Sequence, residues 1–103
     1  MRVKWTERAT KGKQQVASYI RRKFGDDRKD QFLLEVRETT RMLMHHPDMG
    51  VIDPLFADRS IAYRSVIING LNKMVYFIKD DTIYIAAFWD CRREPKALAD
   101  EVK

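Results

Sequence analysis

Cysteine is nearly absent from this sequence, since Cys91 is the only one among 103 residues. A single thiol excludes a disulfide framework and a cysteine cluster for zinc. Long apolar runs are missing as well, because no stretch approaches the roughly 20 apolar residues needed to cross a bilayer. The N-terminal segment also lacks the apolar run of a signal peptide. We therefore expect a cytoplasmic protein that does not contact a membrane.

The composition is that of a folded protein with an excess of positive charge. Hydrophobic residues make up 45% of the chain and charged residues 34%, which argues against disorder. At this length, and without repeats or low-complexity tracts, we expect one domain over residues 1–103. The formal net charge of +5 favours an anionic partner such as nucleic acid or an acidic protein.

The first half of the chain predicts a strand followed by two helices. Residues 2–5 alternate apolar Val3 and Trp5 with basic residues, and Thr6 can cap a helix with apolar residues at helical spacing. Gly25 is a C-cap, and Asp26 or Asp27 can cap a second helix, which closes at Pro47 and Gly50. The apolar stripe of that helix is Phe32, Leu33, Val36, Thr40 and Leu43.

The second half predicts an antiparallel sheet. The segment 47–62 reads as an irregular connection that packs its apolar residues inward, and three strands follow in "YRSVII", "KMVYFI" and "IYIAAFW". Asn69-Gly70 and Asp80-Asp81 suit tight hairpin turns. A short helix from Pro95, with Leu98 and Val102 on one side, ends the chain. The predicted fold is α+β: an antiparallel sheet that includes the first strand, a helical hairpin on one face, and an opposite face carrying the basic and aromatic residues that the strands do not bury.

The segment "YRSVIINGLNKMVYFIKDDTIYIAAFWDCRREP" resembles the RelE/ParE superfamily of toxins from type II toxin–antitoxin systems, which includes plasmid stabilisation proteins. "WTERA" and "HHPDMG" fit the same family, so the resemblance spans nearly the whole chain. It implies a toxin that arrests growth when released from its cognate antitoxin. Such antitoxins are usually acidic, which suits the positive surface.

RelE-type members of the family cleave messenger RNA on the ribosome. They need no metal or cofactor, because the 2′-hydroxyl of the RNA attacks the neighbouring phosphate while cations stabilise the added charge. The resemblance assigns catalytic roles to Arg64, Lys73 and Arg93, and an RNA-binding role to Arg92. It implies a ribosome-dependent endoribonuclease, or mRNA interferase, which is our first expectation.

Two departures from this pattern support an alternative. Val66 replaces a second basic residue, and neither tyrosine nor histidine follows Tyr84 to assist proton transfer. ParE-type members lack the nuclease residues and instead inhibit DNA gyrase by binding it. The chain is therefore expected to act on the ribosome and messenger RNA or on gyrase. A third alternative is a relic of the family or a housekeeping RNA-binding domain with no toxicity.

The residues at the end of the last strand also allow an interpretation without a catalytic or RNA-binding role. Arg92 and Arg93 can equally be a solvated strand end that pairs with Asp90 and Glu94. Phe88 and Trp89 point to opposite faces, so we expect one in the core and the other free to stack on a base or on a partner, and we assign Trp89 to RNA binding. His45 and His46 are interpreted as helix-end residues and not as metal ligands.

Overall fold

The structure is a computed structural model that describes residues 1–91 and 95–102. Its five strands form a single sheet. In chain order the elements are β1 (Arg2–Trp5), α1 (Glu7–Phe24), α2 (Asp26–His45), β2 (Val51–Ile52), a 3-10 helix (Pro54–Phe56), β3 (Arg64–Ile68), β4 (Asn72–Lys79), β5 (Thr82–Asp90) and α3 (Pro95–Glu101). This arrangement confirms the predicted α+β class. Within the described ranges, no helix has both the length and the apolar character needed to span a membrane.

The strands follow the order β1-β5-β4-β3-β2 across the sheet. The predicted meander of β3, β4 and β5 is confirmed, and both of its turns contain residues with positive φ: 58° and 67° at Asn69 and Gly70, 50° and 62° at Asp80 and Asp81. The first strand joins the sheet as expected, as an edge strand parallel to β5. The opposite edge strand, β2, was not predicted.

Thr6 and Gly25 mark helix ends in the helical hairpin. The Thr6 hydroxyl accepts a hydrogen bond from the Ala9 amide at 3.2 Å and donates to the Ile85 carbonyl at 2.9 Å, so it joins the start of α1 to β5. Gly25 ends α1 with φ of 94°, as predicted. The expectation that Asp26 or Asp27 caps α2 is wrong, because both lie inside its first turn, where the helix dipole favours them, and Gly25 occupies the cap position.

The hairpin packs on one face of the sheet. Glycine at position 12 allows this approach, because a Cβ there would lie 2.4 Å from the Phe88 carbonyl oxygen. Phe32 meets the edge of the Phe88 ring at 5.7 Å. The buried residues of this cluster are Ala9, Ala17, Phe32, Val36, Leu43, Ile68, Met74, Tyr76, Ile83, Ile85 and Phe88.

The opposite face is also covered, contrary to our expectation that it would carry the unburied basic and aromatic side chains. Leu98 and Val102, predicted on one side of the tail helix, are buried against this face together with Phe56 of the 3-10 helix. The complete buried cluster is Phe56, Tyr63, Val75, Ala86, Ala87, Trp89, Leu98 and Val102. The strand residues of this cluster all come from β4 and β5, so a short helix is long enough to cover them.

A bulge in β5 decides which aromatic faces the hairpin. Val75 pairs with Ala87 but Tyr76 pairs with Ile85, so Ala86 is an extra residue in β5. Ile83 and Ile85 face the hairpin, and strict alternation would place Trp89 beside them. The extra residue reverses the alternation, so Phe88 faces the hairpin and Trp89 the opposite side.

The connection between α2 and β3 packs only in part as predicted. Phe56 is buried and Leu55 is partly buried, whereas Val51 and Ile52 are 69% and 58% exposed. The two exposed residues form β2, which pairs with Arg64 and Ser65 at the edge of the sheet. Inward packing is therefore wrong for these two residues, because β2 is an edge strand and the described residues leave its side chains exposed.

Candidate functional site

Arg64 and Lys73, two of the three predicted catalytic residues, lie on opposite faces of the sheet. Arg64 is paired with Tyr76 in the β3–β4 ladder, on the same face as the helical hairpin. Lys73 is paired with Ile67 and with Trp89, on the face covered by α3. The sheet thus separates the two cations, and this conformation does not bring both to one phosphate.

Arg64 holds the turn that follows α2. Its Nη1 donates to the Gly50 carbonyl at 2.7 Å and to the Asp48 carbonyl at 3.2 Å. The Tyr76 hydroxyl lies at the same turn, where it donates to the Pro47 carbonyl at 2.7 Å and accepts from the Gly50 amide at 3.0 Å. Both side chains therefore satisfy backbone groups of residues 47–50, which no regular ladder would satisfy.

The Tyr76 phenol has a raised pKa. Burial is the main cause, since the anion would lose hydration, while the Gly50 hydrogen bond and the Arg64 charge act in the opposite direction, and the Asp48 charge adds to the increase. The same hydroxyl fills the space above Gly50, where a Cβ would lie 2.7 Å from it. Tyr76 is thus a structural residue of this turn that sequence reasoning missed.

Lys73 forms an ion pair with Asp53. Its Nζ lies 2.8 Å from Asp53 Oδ2, and the two side chains are 19% and 5% exposed. The other carboxylate oxygen accepts from the Leu55 amide at 3.0 Å, which caps the 3-10 helix. Lys73 therefore balances a buried charge that the connection brings beneath the sheet.

Both aromatic residues at the end of β5 are buried, which corrects the expectation that one stays free to stack. Phe88 and Trp89 are each 4% exposed. Trp89 packs in the cluster covered by Leu98 and Val102. Its predicted contact with RNA stays a prediction.

Arg92 and Arg93 lie outside the described residues, so their predicted roles stay predictions. Their neighbour Cys91 is exposed, and partial desolvation raises the pKa of its thiol while the Lys73 charge opposes the increase. This direction is opposite to that of a reactive thiolate. Among the residues that the structure describes, no group of three or more His, Cys, Asp or Glu side chains is placed to hold a metal ion.

Arg59 is a second residue that the sequence did not reveal. Its guanidinium donates to the Ala99 carbonyl at 2.8 Å and to the Val102 carbonyl, and it lies 5.3 Å from the centre of the Phe56 ring. Carbonyls at a helix C-terminus need such donors. The sequence shows that need, but not that a residue about 40 positions earlier meets it.

A groove of about 790 Å³, lined by both apolar and polar side chains, opens between the helical hairpin and the end of the sheet. Tyr19, Phe24 and Leu71 line it and are 38%, 58% and 44% exposed. Arg28 and Glu35 also line it and supply charges of both signs. Exposed apolar side chains gathered in a concave, charged setting are typical of a protein-binding surface.

Comparison with known proteins identifies one family. Residues 3–95 match the family described as "ParE toxin of type II toxin-antitoxin system, parDE". The fold is similar to a solved structure from the "Chromosomal ParDE TA system from P. aeruginosa", with a TM-score of 0.71 and 15% identity over 87% of this chain and 95% of that chain. At 15% identity, the similarity to this solved structure concerns the fold alone. No curated protein matches the chain.

We predict that Lys73 is needed more for folding than for chemistry. Lys73→Met leaves the Asp53 carboxylate buried without its counter-charge, which should lower the free energy of unfolding by about 3–5 kcal/mol. Adding Asp53→Asn removes that charge and keeps an oxygen for the Leu55 amide, so the double variant should recover a large part of the loss. Urea denaturation followed by circular dichroism measures both. An equal loss in the single and double variants contradicts the prediction.

We predict that Tyr76 makes stability fall at alkaline pH. Because the folded-state pKa is above the ordinary tyrosine value of about 10, the unfolded chain releases this proton first, and the contribution present below pH 10 is lost as pH rises through the folded pKa. Tyr76→Phe should cost about 1–3 kcal/mol at pH 7 and flatten the dependence above pH 10. The exposed Tyr19→Phe is the control, and a parallel alkaline loss in all three proteins refutes the assignment.

Proposed function

Because the chain belongs to the ParE family of toxins from parDE type II toxin–antitoxin systems, we propose that it arrests growth by binding and inhibiting DNA gyrase without cleaving nucleic acid. The observation that carries the proposal is the separation of Arg64 and Lys73 by the sheet. A phosphate in the transition state of RNA cleavage needs several donors aimed at one point. Residues on opposite faces do not meet that requirement.

The existing contacts of these residues give further support. The Arg64 guanidinium bonds to two backbone carbonyls, and the Lys73 ammonium bonds to a carboxylate with a 5% exposed side chain. Recruiting either group to a substrate leaves its present partner unsatisfied, at a cost of about 1–3 kcal/mol for a buried acceptor and more for a charge. Both residues therefore fit structural roles better than catalytic ones.

The ribosome-dependent mRNA endonuclease is the second candidate. The features that favour it are the matches to the RelE pattern at Arg64, Lys73 and Arg93. In that mechanism Arg93 and one of the other two cations would have to act on the same phosphate. The two candidates differ in target, and they share the toxin role.

A cognate antitoxin is the partner that a parDE toxin implies. We propose that an apolar segment of the antitoxin occupies the groove lined by Tyr19, Phe24 and Leu71. The groove is open to solvent, and three large apolar side chains there are at least 38% exposed. The charges of Arg28 and Glu35 can pair with polar residues at either side of the segment, which favours one orientation.

The antitoxin proposal predicts that a charge in the groove weakens the complex. Phe24→Asp and Leu71→Asp should each reduce antitoxin affinity by about tenfold or more, since buried aromatic and aliphatic anchors carry much of the energy of an interface. Leu34→Asp is the matched control, because Leu34 is 49% exposed on α2 and does not line the groove. Isothermal titration with the purified antitoxin gives the affinities. Equal weakening by the control, or none by the groove variants, rejects this site.

The gyrase proposal predicts inhibition of supercoiling with intact messenger RNA. Purified toxin added to gyrase should leave plasmid DNA relaxed, or cleaved by the gyrase itself. Controlled expression of the toxin in cells should produce no new transcript 5′ ends within translated frames. Lys79→Ala, an exposed residue at the end of β4, serves as the matched control for Arg93→Ala, and both should retain most of the inhibition. New 5′ ends in translated frames with unchanged supercoiling would establish the nuclease instead.

A further inference from the structure

The excess of positive over negative charge in the chain comes entirely from its first 24 residues. These contain eight lysines and arginines against one glutamate, a net charge of +7, whereas the remaining 79 residues contain twelve against fourteen acidic residues, a net −2. The cations are Arg2, Lys4, Arg8, Lys11, Lys13, Arg21, Arg22 and Lys23. In the structure this segment is β1, at one edge of the sheet, and α1.

One face of α1 gathers several of these cations in a line. Arg8, Lys11, Gln15, Ser18 and Arg22 are spaced by three and four residues, which places them on one side of a helix, and all five are exposed. We call this set the basic face of α1. With a rise of 1.5 Å per residue, it extends about 21 Å from Arg8 to Arg22.

The neighbouring carboxylates leave this face positive. Glu7 forms an ion pair with Lys11 at 3.3 Å, but both side chains are more than two-thirds exposed, and such pairs exchange readily for other partners. Near Arg22, at the junction of the helices, Asp26 and Asp30 both pair with Lys29, at 3.6 and 3.4 Å. Among the described residues, the carboxylate of Glu101 also lies close to the face, beside Arg8 and Lys11.

The chemistry of this face fits a phosphate backbone better than an acidic protein. Arginine, lysine, glutamine and serine are the side chains that commonly bond to DNA phosphates. A protein interface needs apolar or aromatic anchors, and the five residues of the basic face include none. Exposed apolar residues lie outside this set, for example in the adjoining groove, which Gln15 also lines, and at Val51 and Ile52 of β2.

We propose that the basic face of α1 binds the sugar–phosphate backbone of duplex DNA. Arg8, Lys11 and Arg22 neutralise phosphates, while Gln15 and Ser18 donate hydrogen bonds between them. The face has no side chain set apart to read base edges, so binding is independent of sequence. Its biological setting rests on the proposed function, because gyrase holds DNA beside any protein bound to it.

The test measures DNA binding without gyrase. Fluorescence anisotropy with a labelled 20-base-pair duplex is recorded for the full chain at several KCl concentrations. Three neutralised phosphates predict a slope of about −2.7 for log K against log[KCl], or about 40-fold weaker binding at 200 mM than at 50 mM. The variant Arg8→Gln/Lys11→Gln/Arg22→Gln should remove nearly all of this slope and weaken binding at 100 mM KCl by about tenfold or more.

The matched control is Arg37→Gln/Arg41→Gln/Lys79→Gln, which makes the same change in net charge at exposed residues of α2 and β4. It should keep most of the slope, since it leaves the basic face intact. Equal losses in the two triple variants would show that net charge alone attracts DNA, and would overturn the assignment. Unchanged thermal melting of both variants confirms that they fold.

Two further results would also overturn it. One is tighter binding to an RNA hairpin of equal length, and the other is a triple variant that loses affinity for the acidic antitoxin and keeps its affinity for DNA. The inference and the proposed function fail separately. Gyrase inhibition without DNA binding rejects the basic face only, and DNA binding without gyrase inhibition rejects the proposed target only.

Discussion

The coverage of β5 on both faces is the constraint on which the rest of the fold depends. This strand lies between β1 and β4, and seven of its nine residues are buried, all except Tyr84 and Asp90. Apolar side chains on two faces need two layers. The helical hairpin supplies one layer, and α3 with the 3-10 helix supplies the other.

When the helices and the connection cover β5, they bring backbone polar groups and one carboxylate into positions where they need hydrogen-bond or ion-pair partners. Residues 47–50 follow α2 and belong to neither a helix nor a strand. Arg64 of β3 and Tyr76 of β4 form hydrogen bonds with their backbone groups. The 3-10 helix brings Asp53 under the sheet, and Lys73 neutralises it. Arg59 bonds to the carbonyls at the end of the tail helix. The cations Arg59, Arg64 and Lys73 thus stabilise the irregular segments that pack against the sheet.

The surface that remains divides into parts of different chemistry. The groove beside Phe24 and Leu71 combines apolar side chains with polar groups and charges of both signs, which suits a protein segment. The outer side of α1 is cationic and polar. Since α1 contributes to both surfaces, one helix can carry a neutralising partner on one side and a polyanion on another. A bulky antitoxin in the groove then lies close to the basic face, which offers a physical route to competition between them.

Much of the fold was predictable because its signals are local. The Thr6 cap, the Gly25 break and the two turns with positive φ depend on a few adjacent residues, and the apolar spacing assigned the elements between them. The same reasoning missed β2 and the coverage of the second face, because a two-residue strand and the docking of α3 depend on partners far away in the chain.

The sequence by itself determined the types of the longer helices and strands, the α+β class and the family, since short motifs and periodicity encode them. Only the tertiary structure decided which residues share a site. The extra residue Ala86 turns Phe88 toward the hairpin and Trp89 toward α3, and strand pairing places Arg64 and Lys73 on opposite faces. The physical reason is that side-chain direction in a strand depends on register and bulges, which are set by cross-strand contacts and not by the composition of the strand.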